Sequence, residues 1–144
     1  MDGQAEPKHP LVNNDRQSAR NACVQFINEY HPALSTAETY LQNMIDQTEP
    51  AYAQAYKPWL KGLRDMCVGV YLLSKGIPLK NPQSLLDALK MFTFESALQF
   101  LHDVCITCKL KLQKDWLDKF RKDIETMLFA AAVLCRAQEQ GRTR

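Results

Sequence analysis

The chain reads as an all-α protein, a single antiparallel bundle of five or six helices. Three observations predict this class. Apolar residues make up 46% of 144 residues, enough for one globular core. They recur at spacings of 3 and 4 along most of the chain, and no alternating stretch long enough for a core strand survives. Glycine (5) and proline (7) are scarce, against an all-β or low-complexity chain.

Residues 1–13 carry Pro7 and Pro10 and no periodicity, and are expected to be a flexible arm ahead of a bundle domain at 14–139. The first helix is expected from about Asn14 to Tyr30, with Ala19, Cys23, Phe26, Ile27 and Tyr30 as its stripe. His31-Pro32 is expected to end it, because a residue before proline disfavours helix. Ser35-Thr36-Ala37-Glu38 then has the form of a capping box, predicting a second helix carrying Tyr40, Leu41, Met44 and Ile45. Thr48-Glu49-Pro50 opens a short segment over 50–57, and Pro58 is expected to kink or restart the chain.

The helix expected at 58–75 uses Leu63, Met66, Cys67, Val70 and Leu73, with Val68, Tyr71 and Leu72 on its other sides. Stretches 66–73 and 127–135 are therefore expected at the bundle centre. Gly76 suits a helix C-terminus. Gly62 and Gly69 fall nearly on one helix face, where Ala130, Ala131 and Ala132 are their expected partners. Asn81-Pro82 starts the next helix, with Leu85, Leu86, Leu89, Met91 and Phe92 inward. Thr93 is expected either to cap a new helix at Phe94 or to mark a bend. The segment runs to about Gln113 through Leu98, Leu101 and Cys105. The last helix is expected from Asp115 to about 139, on Leu117, Phe120, Ile124, Met127, Leu128, Ala131, Leu134 and Cys135. A frayed basic tail at 140–144 follows.

The charge of +2 hides an asymmetry. Residues 1–56 hold three basic side chains (Lys8, Arg16, Arg20) against seven acidic ones, so the excess of cations lies in 57–144. It is densest at Lys109, Lys111, Lys114, Lys119, Arg121 and Lys122, expected on one hairpin with Trp116 and Phe120 interleaved. Such a surface fits an acidic protein or a phosphate backbone.

Reaction chemistry has little support. Phosphate-loop, dinucleotide, His-Glu-x-x-His and nucleophile-elbow patterns are absent. His102-Asp103 are sequential neighbours that do not face each other on a helix. His102, Cys105 and Cys108 have a zinc-like spacing but lack a fourth ligand nearby in sequence, so two thiols packed beside a histidine is the simpler expectation. Five cysteines, an odd number, with a polar N-terminus and no apolar run of membrane-spanning length, point to reduced thiols in a cytoplasmic protein without cofactor, metal or membrane.

The tyrosines Tyr30, Tyr40, Tyr52 and Tyr56 concentrate in the first 56 residues. Tyr52, Tyr56 and Trp59 are expected to make an apolar docking patch, and Lys111, Lys114, Lys119 and Arg121 a polar one. The function expected is a non-enzymatic interaction module, an adaptor, regulatory subunit or effector-like protein binding another protein. The alternative is a small subunit of a nucleoprotein complex, holding nucleic-acid backbone through the 109–122 hairpin.

Overall fold

A computed structural model describes residues 13–142; residues 1–12 of the arm expected at 1–13 and the last two residues of the tail lie outside them. Five helices carry the described chain: α1 (Asn13–Gln47), α2 (Pro50–Ser74), α3 (Pro82–Met91), α4 (Glu95–Thr107) and α5 (Trp116–Arg142). No strand occurs among the described residues, so the all-helical class is shown.

The first correction is at Pro32. The break expected there and the capping box after it do not form, and α1 runs unbroken through both. Its buried stripe explains why: Tyr30, Leu34, Ala37, Leu41 and Ile45 continue the register of Ala19, Cys23 and Phe26 across the proline. Interior proline costs about 3 kcal/mol. Burying Leu34 and Leu41, each about 1.5–3 kcal/mol, offsets that. Pro32 and Asn28, whose carbonyl loses its helical partner, are both exposed, and Thr36 Oγ1 donates to the Pro32 carbonyl at 3.0 Å. Glu38 accepts from Arg64 Nε of α2 at 3.0 Å instead of capping a helix.

Pro58 is absorbed in the same way, inside α2. The α2 terminus follows expectation: Gly76 adopts φ +75°, and the Ile77 amide bonds back to the Leu72 carbonyl at 2.9 Å. Pro82 opens α3 as expected. The helix α4 stops at Thr107, short of Gln113. Lys109 takes a left-handed φ of 65°, and the Leu110 amide closes onto the Cys105 carbonyl at 3.0 Å. No glycine marks that end.

All five helices contribute to one main core, with Phe92, Phe120, Leu63, Met66, Leu89, Leu98 and Ile124 fully buried. A satellite cluster joins Leu41 and Ile45 of α1 to Ala53 and Leu60 of α2, with Met44, Tyr56, Trp59 and Phe100 against it. Gly62 and Gly69 do not meet the α5 alanines. Gly62 faces Met91 and Phe92, and Gly69 faces Leu85, so both serve the approach of α2 to α3 and its flanking turn.

Candidate functional site

Positions 52, 56, 59, 63, 66, 70 and 73 recur at alternating spacings of 4 and 3, and so lie along one face of α2. Burial changes along that face. Leu63, Met66, Val70 and Leu73 are buried, Tyr56 and Trp59 are half-buried, and Tyr52 is 66% exposed. The core-facing stripe thus outruns its own covering at the start of α2. Beneath its free end, the Phe100 ring of α4 stacks on both Tyr56 and Trp59, with centroids 6.0 and 5.0 Å apart and planes 25° apart. The three predicted apolar residues therefore lie along one face of α2, but only Tyr52 presents most of its surface; the other two pack on Phe100.

The predicted basic patch is divided. Lys119 is held by Glu29 Oε2 at 2.5 Å and Asp123 Oδ2 at 3.0 Å, with Tyr30 Oη at 3.3 Å. Those two carboxylates, Glu29 first, raise the Lys119 pKa above the usual lysine range. Arg121 is paired with Glu95 of α4. Lys111 and Lys114 are exposed in the irregular connection between α4 and α5, without an ion pair among the described residues. The turn expected at 113–115 is instead an irregular connection over 108–115, which holds Lys111 and Lys114, while Lys119 and Arg121 sit on α5. Two of the four chosen cations are already neutralised by fold-internal carboxylates.

The Tyr30 hydroxyl donates to Asp123 Oδ2, and burial followed by that bond pushes its pKa above the ordinary tyrosine value. Tyr30, Phe26, Phe120 and Trp116 form an aromatic column around this bond, ending at His102, whose ring lies 6.4 Å from Trp116.

The cysteines are unpaired, and desolvation raises their thiol pKa values: Cys23 to about 11, Cys67 and Cys105 to about 12, and Cys108 and Cys135 upward as well. Thiols so placed stay protonated and poorly nucleophilic at neutral pH. His102 Nδ1 lies 3.8 Å from Asp103 Oδ1, beyond hydrogen-bonding distance. Among the described residues, no three His, Cys, Asp or Glu side chains stand together as a metal site. No helix among them is long and apolar enough to cross a membrane.

Two exposed apolar features were missed by the sequence reading. Stretches 66–73 and 127–135 are not enclosed on every side: Val68 is 57% exposed, Tyr71 45% and Phe129 73%. The signal available was their displacement from the 63-66-70-73 and 120-124-127-131-134 stripes, which leaves them on outer faces. No protein-family model, curated protein or solved structure matches the chain.

Proposed function

We propose that this chain is a non-enzymatic interaction module, an adaptor or regulatory subunit of the cytoplasm, that docks another protein against the uncovered end of its core stripe. The observation that carries this reading is Tyr52. It sits in register with the core face of α2, one turn before Tyr56, yet keeps 66% of its surface exposed, while Tyr56 and Trp59 stack on Phe100. An exposed aromatic held on a helix offers area at little ordering cost, as interface anchors do.

The bundle is read as antiparallel. In support, Glu29 and Tyr30 of α1 meet Lys119 and Asp123 of α5, while Arg16 and Arg20 line a groove with Leu134 and Gln138. Rising numbers on α1 thus face falling numbers on α5, and a scaffold of this kind is rigid enough to present Tyr52. Five unpaired cysteines agree with a reducing compartment.

Crosslinking in the native host tests the reading. A photoreactive phenylalanine analogue in place of Tyr52 is expected to capture a defined protein, and the same analogue in place of the exposed Glu125 of α5 is not. Equal capture from both positions, or capture of nucleic acid, counts against it.

A further inference from the structure

The outer face of α2 has its own pattern. Lys57, Lys61, Arg64, Val68, Tyr71 and Lys75 are all exposed and recur at spacings of 4, 3, 4, 3 and 4. At about 100° per residue they share an arc of about 80°. No carboxylate occupies the stripe. Two reach it from its sides: Asp65 is spent on Lys61 at 2.6 Å, and Glu38 on Arg64 at 3.0 Å. Lys57, Lys75 and Lys80 have no ion pair among the described residues.

Between these cations lies apolar surface. Val68 and Tyr71 stand outward, and Ile77 just beyond the helix is exposed as well. Lys75 Nζ rests 5.6 Å from the Tyr71 ring centroid, which holds that cation beside the apolar centre. A groove opens next to Val68, lined by Leu72, Leu79 and Leu85, with Lys80 and the Lys61-paired Asp65 among its polar residues. It follows the α2–α3 seam, where Leu85 packs directly on Gly69.

We infer that this ridge and groove form a second docking surface, whose occupant is an acidic amphipathic helix of a partner protein lying along α2. An apolar strip flanked by cations at both ends matches a helix with apolar residues at i, i+3 or i+4 and i+7 and carboxylates on either side. Charge complementarity selects the sign of the partner. A second copy of this chain fits poorly, because a two-fold contact through α2 sets the same cations against one another. A phosphate backbone satisfies the lysines but leaves Val68, Tyr71 and Ile77 against charged oxygens.

The surface is distinct from the Tyr52 end. Val68 lies 16 residues along α2, about 24 Å away and on nearly the opposite side of the helix. The two proposals can therefore fail separately.

The test selects binders to the full chain from a displayed library of random helical peptides of about 18 residues. Counter-selection uses Val68→Glu, with Tyr71→Glu as a second variant and circular dichroism to confirm that each folds. Selected peptides are expected to be rich in Asp and Glu with helically spaced apolar residues. Their binding should weaken at least about tenfold in both variants, and weaken from about 50 to about 300 mM salt. Tyr52→Glu should leave it unchanged. Peptides without an acidic excess, or binding indifferent to both α2 variants, overturn the inference. So does self-association, poly(U) binding or binding to anionic phosphatidylserine vesicles that Val68→Glu abolishes in place of peptide binding.

Discussion

Tyr30 of α1 donates its hydroxyl to Asp123 of α5 across 93 residues of sequence, and Lys119 closes the same group onto Glu29. Tyr30 is buried while the Asp123 side chain is partly exposed, so the bond sits at the boundary between the aromatic column and water. Tyr30→Phe keeps the packing and removes the donor. The expected loss is about 1 kcal/mol, read as a lower urea midpoint at unchanged slope. A neutral Tyr30→Phe would show that the bond adds nothing beyond the ring.

The two interior glycines of α2 should respond with opposite signs. A Cβ on Gly69 would lie 2.9 Å from Leu85 Cδ1 and 3.0 Å from its Cβ, and the latter cannot swing away. Gly69→Ala is expected to destabilise by about 1–2 kcal/mol, overpacking exceeding the helix-propensity gain of about 1 kcal/mol. A Cβ on Gly62 would meet the flexible end of Met91, so Gly62→Ala is expected to be neutral or stabilising by up to about 1 kcal/mol. Thermal unfolding of the two variants checks both.

Proline should be a burden where a helix continues through it. Replacing Pro32 or Pro58 by alanine restores an amide donor inside α1 or α2. Each variant is expected to gain about 1–3 kcal/mol in denaturant unfolding. A loss on Pro32→Ala would mean that Pro32 supports α1 and is no burden to it.

Stability should fall on the alkaline side. Burial raises the native thiol pKa of Cys23 from 9.0 to about 11 and of Cys105 to about 12, so the native state keeps protons that the unfolded chain releases above pH 9. The stabilisation these groups carry is complete below pH 9 and is lost as pH rises toward 11 and 12. Each such group contributes at most about 1.4 kcal/mol per pH unit. Urea midpoints should be level from about pH 7 to 8.5 and decline beyond pH 9, less steeply in Cys23→Ala/Cys105→Ala. A midpoint that rises above pH 9 would contradict this placement of the thiols.

Much of the fold was legible because burial periodicity is local. The inward residues of α5 and the Gly76 terminus needed no tertiary information. The break at Pro32 and a restart at Pro58 do not occur, and for Pro32 the reason is instructive: its local steric penalty is outweighed by the stripe that crosses it in register, Tyr30–Leu34–Ala37–Leu41. The end of α4 was illegible because Lys109 takes a left-handed conformation that sequence assigns to glycine. For the candidate site, the sequence could pick out Tyr52 as an aromatic but not its exposure. It could count Lys119 and Arg121 as cations but not find Glu29 and Glu95 beside them, since those pairings span 90 and 26 residues; Asp123, four residues after Lys119, is the one partner that helical spacing shows.

The most direct measurement of the proposed role is the affinity of the purified partner captured at position 52 for three forms of the full chain. Tyr52→Glu is expected to weaken binding at least about tenfold relative to the unaltered protein. Charge reversal at the exposed Lys111 and Lys114 is expected to change it less than about threefold. Binding that survives Tyr52→Glu and collapses on reversal of Lys111 and Lys114 would contradict the account and move the docking surface to the α4–α5 connection.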